Sequence, residues 1–296
     1  MFALLLGFLT LFAAPLAAAD EGRLLVFVSV LPQQTFAERI GGERVRVRAM
    51  VQADQSPHTY EPTPRQVAEL ARAQLYLRTG VAFEDAWMPR IRAANPRLRV
   101  IDLRQGLPLL TIVDHHHDEH DHDHPHGLDH AHGRDAPDPH IWTSPPLVKA
   151  MSATIRDALI ALDPAGSEVY RANQAAFAAE LDALDGELRT LLEDLPSRRF
   201  MVYHPAWGYF AETYGLTQVA IEREGKEPGA RTLTALIEQA RREGVRLILV
   251  QPQMNPKSAQ EIARAIGGEV AVIDPLAADY ADNLRRLARL IAGARE

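Results

Sequence analysis

The sequence predicts an α/β protein made of two parallel-sheet lobes joined by one long helix. Three observations carry that prediction. Short apolar, β-branched runs alternate with helical stretches before residue 104 and again after residue 196, the pattern of βαβ construction with right-handed crossovers. Between these halves Phe177, Leu181, Leu184, Leu188, Leu191 and Leu195 recur at spacings of four and three on an otherwise charged stretch, which marks a narrow apolar seam on a helix. With 296 residues, 47% of them hydrophobic, the chain has enough apolar material for two domains of ordinary size or one large one.

Taken in order, Leu24 to Val30 (LLVFVSV) is a continuous apolar run, as expected for a strand covered on both faces. A short helix through Phe36 to Ile40 ends at Gly41-Gly42, and Arg44 to Val51 (RVRVRAMV) alternates as a second strand. A loop from Gln52 to Tyr60 follows, and Pro64 opens a helix in the first-turn position where proline is tolerated. Leu75 to Thr79 is expected as a strand, Phe83 to Ala94 as a helix and Leu98 to Leu103 as a strand. A segment crowded with histidine then interrupts, and Ser144-Pro145 restarts a helix that runs to about Leu162.

Asp163-Pro164 begins the long helical stretch, roughly thirty residues or about 45 Å at the α-helical rise. One α/β layer needs less, so the stretch reads as a strut between lobes; an exposed coiled-coil pairing is the competing reading. Beyond Pro196, Phe200 to Tyr203, Gln218 to Ile221, Leu247 to Val250 and Val270 to Ile273 are expected strands. Trp207 to Tyr214, Leu233 to Glu243, Pro256 to Ile266 and Asp279 to Ala294 are the helices between and after them. The expected fold is thus two Rossmann-like lobes, 20–162 and 196–296, joined by a linking helix over 163–195, with no sequence repeat between the lobes.

The formal charge of -7 is local, because the segment from Asp114 to Asp138 holds eight acidic residues and one arginine and accounts for all of it. The rest is balanced, and without a basic stripe to neutralise phosphates nucleic acid is not expected as a partner. The start, MFALLLGFLTLFAAPLAAAD, is an apolar run ending in Ala17-Ala18-Ala19 and reads as a secretory signal peptide over 1–19, cut before Asp20. No Lys or Arg precedes that run, and a membrane anchor is its alternative reading. Elsewhere no apolar run approaches the roughly 20 residues of a membrane span. There is no cysteine, so neither disulfides nor thiolate metal sites are available, and ligation falls to histidine and carboxylate.

Nine of the twelve histidines, His115, His116, His117, His120, His122, His124, His126, His130 and His132, lie in that acidic segment. Such a tract reads as a set of weak accessory metal sites of no fixed geometry, against the alternative of a solvated linker. The other three histidines are single. His58 follows the second strand, His204 follows FMVY directly, and His140 closes the histidine-rich segment before the helix at Pro145; Asp274 follows VAVI directly. In open parallel sheets ligands bind beyond the carboxyl ends of the strands, and two of these four residues come from each half, which places them at a cleft between lobes. Singly, each also suits a structural role. Together, three imidazoles and one carboxylate make a closed four-coordinate set suited to Zn²⁺. No H-E-x-x-H, G-x-S-x-G, P-loop or G-x-G-x-x-G occurs, so an enzyme is not expected.

Five stretches add a resemblance. PHTYEPTPRQVAELARAQLYLRTG, DPHIWTSP, YHPAWGYFAETYGL, EPGARTLTALIEQARREGVRLILVQPQMNPKSAQEIA and VIDPL resemble, in order, the motifs of periplasmic metal-binding proteins of ABC importers, the cluster A-I family, and most of all its zinc-binding branch. The resemblance implies a monomer with two α/β lobes joined by one rigid helix, with ligands at His58, His140, His204 and Asp274. It also implies capture of Zn²⁺ in the periplasm and delivery to a permease and its ATPase, with a periplasmic metallochaperone as a further partner. Manganese-binding relatives tend to carry glutamate at the third ligand, so His204 favours zinc; import of manganese, copper or nickel, or a zinc buffer, are the alternatives. Thr143-Ser144 stands where the family often has Leu-Asp, which leaves Ser144 in the position of the helix cap.

Overall fold

The computed structural model describes residues 22–53, 55–111, 137–195, 197–222 and 226–293. The expected signal peptide and the nine histidines between 115 and 132 lie outside the described residues. Strand β1 (Leu24–Val28) pairs in parallel with β2 (Val45–Ala49) on one side and β3 (Leu75–Arg78) on the other, and β3 pairs with β4 (Arg99–Asp102). In the second half β5 (Arg199–Val202) lies between β6 (Thr217–Ala220) and β7 (Leu247–Val250), with β8 (Glu269–Val272) beyond β7. The two sheets have one strand order, β2-β1-β3-β4 and β6-β5-β7-β8, although the sequence halves share no evident repeat.

Burial explains the strand patterns. The inner strands β1 and β7 read LLVFV and LILV and are covered on both faces, whereas the edge strand β2 reads VRVRA and exposes alternate residues. The helices α1 (Leu31–Gly41), α2 (Pro64–Leu70) and α3 (Ala82–Ala94) connect the first sheet. At the start of α2, Thr63 Oγ1 accepts the Gln66 N–H and Gln66 Oε1 accepts the Thr63 N–H, a capping box that satisfies two donors at the helix end. Helix α4 (Pro145–Leu162) has the bounds expected for it, but Ser144 does not cap it with its side chain. Its hydroxyl instead meets Thr213 Oγ1 at 2.8 Å.

Helix α5 runs Ser167–Leu191, 25 residues, or about 37 Å of rise. It starts later than expected because Pro164–Gly166 forms a 3-10 turn first, and it ends before Leu195. Phe177, Leu181, Leu184 and Leu188 are buried along it. Their partners belong to this chain: α5 packs on α4 and α1 and on the C-terminal helix α9 (Tyr280–Ile291), so the seam joins elements of both halves rather than a coiled-coil partner. The ring of Phe36 in α1 lies 5.8 Å from Phe177 and meets Tyr280 of α9 edge-on at 4.9 Å. One apolar core therefore runs from Val26 through Trp142, Leu184 and Trp207 to Leu287, and a smaller cluster around Met201, Ile248 and Ile262 lies apart from it in the second half. Helices α6 (Gly208–Tyr214), α7 (Ala230–Arg242) and α8 (Lys257–Ile266) complete the second half. Among the described residues no helix is long and apolar enough to cross a membrane.

Candidate metal centre

In both sheets the chain leaves the central strand to one side and returns on the other, so loops diverge at the carboxyl ends of β1 and β5 and open a crevice there. His204 sits two residues beyond the end of β5. His58 lies in the exposed segment that follows β2, and His140 precedes a 3-10 turn, Ile141–Thr143, that leads into α4. The fold brings these three to one place: each offers a ring nitrogen, and the nitrogens all lie within 4.8 Å of one another. His58 Nε2 is 3.1 Å from His204 Nε2. Two imidazole nitrogens on one tetrahedral zinc, each at 2.0 to 2.1 Å, lie about 3.3 Å apart, so this pair already has the spacing of a shared ion.

Buried carboxylates orient two of the rings. Asp138 Oδ1 lies 2.6 Å from His140 Nδ1 and also accepts the His140 main-chain N–H at 2.9 Å. Glu222 Oε1 meets His204 Nδ1 in the same way. A proton held on Nδ1 by a carboxylate leaves the Nε2 lone pair free, the tautomer a metal needs, and makes that nitrogen more basic. The side chains of His140 and His204 are 8% and 10% exposed, and those of their carboxylate partners 5% and 4%. Burial pushes the His204 imidazole below its ordinary pKa against the opposing pull of Glu222. His58 differs in being exposed.

Asp274, the fourth residue expected from the sequence, does not join them. Among the described residues the converging donors are the three imidazoles. Its Oδ1 accepts the Leu276 N–H at 2.9 Å, two residues on, which holds the carboxylate in a turn ahead of Pro275. Its Oδ2 lies 3.4 Å from Gln253 Nε2, and burial pushes its carboxyl above the usual range. The cavity between the imidazoles is small, about 30 Å³, and is bordered by Ser56, Trp142, Gln251, Met254 and Pro275. That is room for one ion or a water or two, not for a peptide or sugar. Trp142 is pinned by donating its indole N–H to the Pro275 carbonyl at 2.8 Å, which ties the floor of the site to both halves.

Asp138 and Glu222 were not singled out from sequence as orienting groups. For Asp138 a local signal existed, an acid two residues before a candidate ligand across a proline. Glu222 depends on register: Val202 pairs with Ala220, so the residues two steps beyond each, His204 and Glu222, emerge side by side.

Comparison with known proteins agrees with this fold. A solved structure described as ZnuA superposes with a TM-score of 0.82 at 41% identity over 92% of this chain and 99% of that one. The high-affinity zinc uptake system protein ZnuA of Bacillus subtilis (strain 168) is 28% identical over 264 residues, covering 88% of this chain and 81% of that protein. The zinc-binding protein AdcA of Streptococcus pyogenes serotype M3 (strain ATCC BAA-595 / MGAS315) is 28% identical over 266 residues, 86% of this chain but 51% of AdcA, so the chain spans about half the length of that relative. The family profile described as zinc-uptake complex component A, periplasmic, matches residues 26–294. With the fold, the crevice and its three imidazoles in place, the chain belongs to the family of periplasmic zinc-uptake component A proteins.

Proposed function

We propose that this protein captures Zn²⁺ outside the cytoplasm and hands it to an ABC permease powered by its ATPase. The observation that carries the reading is the convergence of His58, His140 and His204 from both halves, two of them backed by buried carboxylates. Nitrogen donors without a convergent carboxylate suit zinc, copper or nickel better than manganese, which favours oxygen ligands. The zinc-uptake family supports zinc among these, and import over a passive buffer. Neither the site nor the family supplies a reason to expect catalysis.

The three histidines are the proposed ligands. Asp274 reaches the ion only by leaving its turn with Leu276; while it stays there, the fourth position falls to water. The nine histidines from His115 to His132 are proposed as accessory weak sites. The segment boundaries proposed are a cleaved signal peptide over 1–19, lobes over 20–162 and 196–296, and a linking helix over 163–195, in a periplasmic monomer that also accepts zinc from a metallochaperone. Because one core passes through α5 and α9, wide hinge opening would expose apolar surface, which supports metal release through local movement at the site. Zinc titration against a competing chelator tests the reading: tight one-to-one binding lost in His204→Ala is expected, and unchanged affinity in that variant would overturn it.

A further inference from the structure

Thr111 and Pro137, the described residues that border 112–136, are fastened to one another and, with their neighbours Leu110 and Asp138, to the second half of the molecule. Thr111 and Pro137 form an antiparallel bridge, and the Asp138 N–H donates to the Leu110 carbonyl at 2.7 Å. The phenol of Tyr209, from the first turn of α6, binds both ends at once. It accepts the Leu110 N–H at 3.0 Å and donates to the Asp138 carbonyl at 2.8 Å. Tyr209 is 3% exposed. The neighbouring residue permits the approach: a Cβ on Gly208 would stand 2.9 Å from Asp138 Oδ2, so a larger residue there would force the carboxylate or α6 to shift.

Asp138 is thus held through its main chain by Tyr209 and Leu110, while its carboxylate orients the ring of His140. We infer that Tyr209 is a positioning residue for metal binding, acting from the second half through Asp138 to set His140, and that it couples the neck of the histidine-rich segment to the site. The inference rests on the zinc-site reading given above. It requires no movement of Tyr209, only that its hydroxyl fix where residue 138 stands. Removing the hydroxyl leaves the Leu110 N–H and the Asp138 carbonyl without their partner in a buried place, and the strand-like neck loses its anchor. Because groups that orient metal-bound histidines typically change affinity by about 10-fold to 100-fold when lost, a group one step further out is expected to matter less.

The test is Tyr209→Phe, which keeps the ring and its packing, with Tyr214→Phe as the control; Tyr214 is a similarly buried phenol that donates to Asp185 away from the site. In zinc-free protein, amide hydrogen exchange at Asp138 and His140 is expected to speed up in Tyr209→Phe and to stay unchanged in Tyr214→Phe. In chelator competition, zinc affinity is expected to fall roughly threefold to tenfold in Tyr209→Phe alone. In an Asp138→Ala background the same substitution is expected to add less than about twofold, since its route to the His140 ring is already cut. Unchanged exchange at both amides, unchanged zinc affinity, or full additivity with Asp138→Ala would each overturn the inference. Should the parent protein fail to bind zinc tightly, the zinc reading falls, while the exchange measurement still decides whether Tyr209 holds the His140 segment.

Discussion

His204 and Glu222 stand side by side beyond adjacent parallel strands, with the ring Nδ1 facing the carboxylate Oε1 and both side chains nearly buried. The ring's Nε2 lies 3.1 Å from that of His58. The pair fixes the tautomer before any ion arrives, so binding needs no ring flip and no exchange of the Nδ1 proton.

Glu222→Gln is therefore expected to weaken zinc binding about tenfold while leaving the fold intact, because an amide can still fill the space but can present its NH₂ to Nδ1 and favour the wrong tautomer. Chelator competition on purified variant and parent measures this, with thermal unfolding of the zinc-free proteins as the control. Equal affinities would mean that Glu222 does not orient the ring.

Asp274→Ala separates a three-imidazole site from a four-ligand one. With the carboxylate held by Leu276 N–H at 2.9 Å, the structure leads to an expected change of less than about threefold in zinc affinity, against a loss of more than about 100-fold for His140→Ala or His204→Ala. A loss in Asp274→Ala comparable to those of the histidine variants would show that the side chain swings to the ion on binding.

Deleting residues 115 to 132 tests the accessory sites. All nine crowded histidines go, but His58, His140, His204 and the orienting carboxylates remain. Isothermal titration is expected to lose the weak binding events and retain one tight site per chain; disappearance of the tight event as well would place the principal site in the deleted segment.

Much of the fold was legible because the inner strands are mostly apolar, with β1 and β7 wholly so, and several helices open on proline. The run LILV at Leu247–Val250 and the Pro145 start of α4 match their observed bounds. Helix α5 was legible as a long helix but not in its ends, since Pro164–Gly166 winds as a 3-10 turn and a periodic seam does not distinguish the two geometries over three residues. The three converging histidines were legible because isolated histidines are scarce outside the acidic segment. Their carboxylate partners were not, for a different reason: acidic residues are common, and choosing Glu222 requires the β5–β6 register, which no local pattern encodes. Asp274 resembled a ligand by position after β8, and in the structure its carboxylate is engaged by the main-chain N–H two residues beyond it, a turn contact that an Asp-Pro sequence can form.

The joint between α4 and α5 supplies a pH prediction for the apo protein. Asp163 Oδ2 accepts from Arg44 Nε at 2.7 Å and from the Tyr170 hydroxyl at 2.7 Å, while Oδ1 accepts from Arg44 Nη2 at 3.0 Å. The Arg44 guanidinium, and after it the Tyr170 hydroxyl, hold the Asp163 carboxyl at about 2, below its ordinary value. A carboxylate whose folded pKa is depressed binds fewer protons folded than unfolded, so its stabilisation is complete above the unfolded value near ~4 and disappears as pH falls through about 2. Asp163→Asn removes that titration. Urea unfolding is therefore expected to show the variant less stable than the parent at pH 6, with the gap narrowing steadily between pH ~4 and ~2. A gap that stayed constant across that range would mean that packing around residue 163, and not its charge, accounts for the difference.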